Sequence, residues 1–216
     1  MGDPSPTDRH TAYAAREFIW ENDAHAEAHR YLAGPVLARL RASSARRVLD
    51  LGCGNGAFSA LLAHEGYETT GIDHSASGIE IAKIRPGASF AQHDLNAPLP
   101  EAHVGRYDAV VSLEVIEHLL LPRRLIEATL AALRPGGLMV VSTPYHGYLK
   151  NLALALLGAF DSHWHPLRDY GHVKFFSRRT LSALFLEYGL SELDFSTAGR
   201  VPPFAKSMIL CARKPR

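Results

Sequence analysis

A chain of 216 residues with 47% hydrophobic and 21% charged side chains suits one globular domain with room for an insertion. Its 23 basic and 22 acidic residues leave a net charge of +1, too weak a field to select a polyanionic partner by charge alone. Two cysteines, Cys53 and Cys211, are too few for a disulfide framework and point to a reducing, cytoplasmic setting. Residues 1–10 are polar, lack the apolar core of a signal peptide and read as a frayed tail. The longest apolar run, Leu152–Phe160, falls far short of the ~20 residues that a transmembrane helix needs.

In chain order, Ala12–Leu40 is predicted as helix, broken at Gly34-Pro35, because its apolar positions recur at helical spacing and proline cannot donate a ladder bond. Arg47–Leu51 is a short apolar run ending at glycines, the pattern of a buried strand. Ala57–Glu65 follows as a helix closed by Gly66, then strand Glu68–Asp73, helix Ser75–Ile84 and strand Ser89–His93. Tyr107–Leu113 is the fourth strand. Pro122–Leu133 is a helix ended by Arg134-Pro135-Gly136-Gly137, and Leu138–Ser142 the fifth strand. Ser177–Tyr188 is a helix stopped by Gly189; Leu193–Ser196 and Ser207–Ala212 are the last strands. The alternation from Arg47 onward predicts an α/β fold, a doubly wound and mostly parallel sheet of seven strands. Two segments fall outside it. Residues 11–42 read as a helical lid, and 144–176 as a substrate cap, since loops that long are usually functional. Residues 11–216 together read as one domain.

The stretch VLDLGCGNG (48–56) carries the most information. A strand runs into glycines that permit a tight turn and close approach of a ligand, then into a helix with free N–H groups. Asp73, 17 residues after Gly56, ends the second strand, where a carboxylate can accept both ribose hydroxyls. A dinucleotide site shares that outline. Three details differ. Asp50 precedes the first glycine, where it repels pyrophosphate but suits the positive charge around a sulfonium and an α-amino group. Asp94 ends the third strand, where it can take an adenine amino group. The spacing is Gly-x-Gly-x-Gly.

With GID (71–73), HDL (93–95), YDAVVSLEVIEHL (107–119) and LRPGGLMVVSTP (133–144) following in order, the chain resembles the class I S-adenosylmethionine-dependent methyltransferases over residues 47–144. The resemblance implies a Rossmann-like fold and S-adenosylmethionine as cofactor. It places the methionine moiety at Asp50, Gly52, Cys53, Gly54 and Gly56, ribose at Asp73 beside His74, and adenine near Asp94 and Leu95, with Glu114 also a cofactor contact.

Glu114-Val-Ile-Glu117-His118 follows the fourth strand, at the edge where open α/β sheets bind ligands. If Glu114 begins a helical turn, all three polar side chains share one face. With an imidazole from His172 they form a candidate site for a divalent metal such as Mn, Mg or Zn, which would lower the pKa of a substrate hydroxyl. The metal-free alternative makes His118 a general base. The Glu-x-x-Glu-His string with a later histidine is similar to that of the ubiquinone-biosynthesis O-methyltransferases, which act on a polyprenylated catechol. It is also similar to that of small-RNA 3′-terminal 2′-O-methyltransferases, whose metal is held by two Glu and two His. That second likeness would make Glu114, Glu117, His118 and His172 the ligands. Methyltransferases without metal share the same string.

In the insertion, Tyr145, His146, His163, Trp164 and His165 are candidate acceptor contacts, with Tyr145, His146 and Trp164 foremost. Its apolar helix is expected to be buried against the domain or a second copy. A membrane-surface role is the alternative, but the helix lacks a basic face beyond Lys150. In the lid, Trp20, Asn22, His25, His29 and Arg30 are polar or aromatic, and Arg30 could meet the methionine carboxylate. The expected function is methyl transfer from S-adenosylmethionine to a small-molecule hydroxyl. The alternatives are metal-assisted RNA 2′-O-methylation, which near-neutral charge argues against, and a non-catalytic cofactor-binding domain. The expected partner is a small-molecule acceptor, with peripheral membrane contact open and the chain a monomer or homodimer.

Overall fold

The computed structural model describes residues 19, 20, 22, 27–164, 166, 167 and 170–216. The expected tail 1–10, the first part of the lid with His25, and His165 of the cap lie outside the described residues. Helix α1 (His29–Ala42) leads into β1 (Arg47–Leu51), α2 (Ala57–His64), β2 (Glu68–Asp73), α3 (Ala76–Lys83) and β3 (Ala88–Gln92). Then come β4 (Tyr107–Leu113), α4 (Arg123–Ala132) and β5 (Leu133–Pro144), the cap helices α5 (Tyr148–Leu156) and α6 (Phe160–Trp164), then α7 (Arg178–Glu187), β6 (Ser191–Ala198) and β7 (Ser207–Arg213). The seven strands lie in the order β3-β2-β1-β4-β5-β7-β6. Strands β1 to β5 are parallel; β7 runs antiparallel to both β5 and β6. The order reverses between β1 and β4, which opens a crevice at their carboxyl ends.

Side chains alternate between the two sheet faces, so each central strand feeds two cores. Leu49, Val110, Met139, Val141 and Leu210 enter one, against Leu125, Ile126 and Phe185. Val48, Val111, Val140 and Ile209 enter the other, against Leu37, Leu40, Phe58 and Leu62.

Three expectations are corrected. Helix α1 runs unbroken through Gly34-Pro35. A proline clashes with the Cβ of the residue before it, and Gly34 has none. Leu32, Val36, Leu37 and Leu40 remain on one buried face. The Arg134-Pro135-Gly136-Gly137 turn is not a separate loop, because β5 starts directly at Leu133. Its register jumps from Tyr107↔Leu133 to Ala109↔Leu138, so the turn is a bulge opposite Asp108. The Asp108 carboxylate pins it through Arg134 at 2.9 Å. The cap helix, third, is not buried against the domain. No residue of α5 is buried, and Tyr148 and Leu156 are 79% and 78% exposed. The helix stands beyond the carboxyl edge of the sheet and packs on α6, itself without a buried residue, so neither closed core reaches it. Among the described residues no helix is long and apolar enough to cross a membrane.

Candidate active site

The glycine loop is built on left-handed backbone at Gly52 (φ +82°), Gly54 (φ +54°) and Gly56 (φ +73°). At Gly52 a side chain would collide with Val115, and at Gly54 with the Trp20 indole. Gly52 and Cys53 donate their N–H groups to the Ile72 carbonyl, at 2.8 and 3.1 Å, which ties the loop to β2. Asp73 accepts from Gly54 N and Ser75 N, both at 2.8 Å. The Trp20 indole lies against Gly54 and Gly78, its backbone N–H reaches Ser77 Oγ at 3.0 Å, and Asn55 Nδ2 donates to the Asn22 carbonyl at 3.1 Å. Part of the lid therefore lies on the loop. Buried Asn55, not singled out from sequence, is its anchor.

Other expected donor contacts sit elsewhere. Asp50 is turned into the core and accepts the Ser59 hydroxyl at 2.7 Å. Cys53 and Leu95 are buried, the latter in the first core. His74 and Asp94 are exposed at the ends of β2 and β3, where Asp94 accepts Asn96 N at 2.9 Å. Arg30 is exposed on the first turn of α1, close enough to Glu27 to act on it electrostatically.

Burial raises the Asp50 carboxyl to about 7, against the relief of the Ser59 hydrogen bond, and Asp73 adds to the rise. A carboxyl raised on folding contributes stability that is full below its unfolded pKa of about 4 and is lost as pH climbs through about 7. Asp50→Asn is expected to flatten that decline, so that its urea midpoint compares better with wild type at pH 8 than at pH 5. His146, held down to about 4, acts in the opposite sense on the acid side. The difference between the two proteins is therefore the quantity to read. Parallel stability curves would remove Asp50 as the source.

Beyond β4, Glu114 itself is left-handed (φ +55°), and Ile116–His118 form a single 3₁₀ turn. The expected helical face of Glu114, Glu117 and His118 therefore does not form: the chain reverses before the turn. Glu117 points inward and is fully buried, whereas His118 is exposed. His118 Nδ1 faces the Tyr170 and Gly171 carbonyls at 3.0 and 3.2 Å, which puts the ring lone pair on Nε2. The Val173 and Lys174 N–H groups bond the Glu117 carbonyl at 2.8 and 3.0 Å and bring His172 alongside. The His118 and His172 rings meet edge to face at 4.9 Å. One ligand atom each from Glu117, His118 and His172 falls within 4.8 Å of the others. Glu117 Oε2 accepts from Thr143 at 2.9 Å, while buried Oε1 has no hydrogen-bond partner among the described residues. Burial, and next the Glu114 charge, push the Glu117 carboxyl well above its ordinary range.

Glu114 lies outside that trio. Its Oε1 accepts from Ser142 at 2.7 Å and its Oε2 from Ser207 at 3.1 Å. Burial raises it to about 7 in spite of both bonds.

On the cap side, His146, Asn151, Trp164, Phe175, Ser177 and Thr180 line a cavity of about 450 Å³. Its rings pack on one another: Trp164 meets Phe175 edge to face at 4.5 Å and His146 at a tilt at 4.7 Å. Burial, then Lys150, keep the His146 imidazole neutral. Two strands of chain connect this cavity to the trio, from Thr143 to His146 and from His172 to Phe175. Tyr145, on the first of them, is half-buried against the first core.

A glycine loop, an acidic residue at the end of β2 and a polar trio at the β1–β4 crevice meet here, and a family model described as a methyltransferase domain matches residues 24–193. The chain belongs to the methyltransferase domain family. This is the class I group, whose methyl donor is S-adenosylmethionine. The methyltransferase domain is 35% identical over 152 residues to a ubiquinone biosynthesis O-methyltransferase of Brucella ovis, a match covering 68% of this chain and 61% of the relative. The chain thus spans about three-fifths of the length of the curated relatives it matches. Among solved structures it is similar to the methyltransferase domain of bacterial CtHen1 (27% identity, TM-score 0.64, 85% of this chain and 96% of that one). It shares its fold with magnesium protoporphyrin IX methyltransferase from Synechocystis PCC 6803, solved with bound SAH (20% identity, TM-score 0.67, 97% and 95%).

Proposed function

We propose that this methyltransferase domain, read as residues 11–216 with 144–176 as an acceptor cap, transfers the methyl group of S-adenosylmethionine to a hydroxyl of a small, uncharged molecule. The observation that carries the reading is the juxtaposition, at one crevice, of the glycine loop with the Glu117–His118–His172 trio and an uncharged cap cavity. Asp73 would accept the ribose hydroxyls, with His74 and Asp94 flanking the adenine and the methionine part passing over Gly52–Gly54. Gly56 and buried Asp50 and Cys53 would shape the loop rather than touch the donor. Tyr145, His146 and Trp164 would contact the acceptor.

The reaction is an in-line displacement. The acceptor oxygen bonds to the methyl carbon, the carbon–sulfur bond breaks, sulfur keeps the electron pair, and the hydroxyl proton leaves to a base. Glu114, raised to about 7 and held at both oxygens, would take that proton at neutral pH. The trio fits a divalent cation: two imidazoles and one carboxylate, with the orphaned Glu117 Oε1 lacking a partner that a cation would supply. Bound there, a cation would lower the pKa of a coordinated hydroxyl.

The likeness to CtHen1 favours an RNA end as the competing acceptor. Against it stand the uncharged cavity lining and Arg178, which is stacked over the Phe195 ring at 4.7 Å rather than turned to a phosphate path. Labelled methyl transfer from S-adenosylmethionine to a catechol and to an RNA oligonucleotide, with Mn²⁺ or chelator, decides between them. Label on the catechol is the expected result. Label on RNA alone would move the acceptor class, and donor binding without label on any acceptor would leave a cofactor-binding domain.

A further inference from the structure

Glu114 is a non-glycine residue in left-handed backbone, a conformation that persists only when its surroundings over-determine it. Three elements do so. Ser142 of β5 donates to Oε1 and accepts from Glu114's own N–H at 3.1 Å. Ser207, the first residue of β7 and 1% exposed, donates to Oε2. Behind Ser207 stands Tyr31 of α1, whose hydroxyl lies 3.1 Å from Ser207 Oγ. Ser207 has one hydroxyl proton. With Glu114 ionised that proton goes to the carboxylate, so Ser207 must accept from Tyr31. The relay runs Tyr31 to Ser207 to Glu114.

Its outer end is also fixed. Lys206 lies over the Tyr31 ring at 5.5 Å and pairs with Glu27 just before α1. A side chain at Gly199 would meet the same ring at 3.1 Å. A tyrosine whose hydroxyl points inward through a buried serine to a strained carboxyl is more than packing requires, because phenylalanine would fill the same space.

We propose that Tyr31 is a positioning residue for methyl transfer: through Ser207 it fixes the Glu114 carboxyl and makes helix α1 part of the site. The inference rests on the reading of Glu114 as the proton acceptor. The seating of helix α1 would thereby set how the acceptor of the hydroxyl proton is held.

The test uses Tyr31→Phe, Ser207→Ala, Ser207→Thr and the Tyr31→Phe/Ser207→Ala double variant, each checked for folding by its thermal melt. In infrared difference spectra, the carboxyl band identified by its loss in Glu114→Gln is expected to shift in Tyr31→Phe. With catechol as acceptor, Tyr31→Phe is expected to lower kcat up to about tenfold, the upper scale of one hydrogen bond between neutral groups. KM for S-adenosylmethionine should not move. Because the groups act in series, the double variant should be no worse than Ser207→Ala, and Ser207→Thr should restore the rate. A band unmoved by Tyr31→Phe, or losses that add in the double variant, would overturn the relay. A band that shifts in Tyr31→Phe, with a wild-type protein that methylates no acceptor, would instead sink the functional reading and leave the relay standing.

Discussion

Glu117→Gln is expected to abolish divalent cation binding and, with it, methyl transfer, while leaving the chelated protein as stable as wild type. The two halves of that result have different causes. Burial and the nearby Glu114 charge push the Glu117 carboxyl towards its protonated form in the absence of a cation, and a protonated carboxyl and an amide have nearly the same shape. Glutamine can still accept the Thr143 hydroxyl. The amide nitrogen that replaces Oε1, however, has no lone pair for a cation. Loss of a ligand should exceed the ~10–100-fold that loss of a supporting group costs. Calorimetric titration of Mn²⁺ into chelator-treated protein saturated with S-adenosylhomocysteine measures the first half, and a melt in chelator the second. Mn²⁺ binding that survives in the variant would remove the trio as a cation site. Failure of wild type to bind Mn²⁺ would leave Glu114, His118 and His172 to manage the proton without one.

Gly56→Val should unfold the chain far more readily than Gly66→Ala, although both glycines are left-handed. At Gly56 a Cβ would sit 2.7 Å from the Ala82 methyl and 2.7 Å from the Phe90 ring; at Gly66 it would meet nothing within 4 Å. Both variants carry the left-handed penalty of ~1–2 kcal/mol. Only the first adds an overpacking cost of ~1–3 kcal/mol, since the start of α2, the last turn of α3 and Phe90 of β3 converge there. A total of about 4 kcal/mol corresponds to roughly 8–16 °C in Tm for a chain of this size. Equal melting points for the two variants would show that the loop yields to the added bulk.

The β1 to β5 core was readable because its central strands β1, β4 and the body of β5 are apolar runs and the strands alternate with helical segments, signals that local sequence contains. The exceptions are informative. Gly34-Pro35 reads as a break because proline rules are local, but the preceding glycine removes the clash that makes them bind. Arg134–Gly137 reads as a turn because the residues are turn formers, yet a bulge uses the same residues and depends on Asp108 in another strand. The apolar character of α5 was legible and its exposure was not, since burial is a property of neighbours. At the site, the residue types were legible and so was the grouping of Glu117, His118 and His172; the departure of Glu114 from it was not. Glu114 leaves the helical face through one positive φ. Tyr31 and Ser207 give no signal at all: their hydroxyls meet across 176 residues of sequence, and nothing near either one predicts it.

The chain has two tryptophans, and the fold assigns one to each half of the crevice. Trp20 lies on the glycine loop, and Trp164 lines the cap cavity. Intrinsic fluorescence therefore carries two separable channels. Trp164→Phe leaves an emitter on the glycine loop, Trp20→Phe leaves one in the cap cavity, and under the proposed function stopped-flow traces of the pair would time the arrivals of donor and acceptor independently. Whether the enzyme fills its crevice in a compulsory sequence or at random becomes a question answered by light, without label and without turnover.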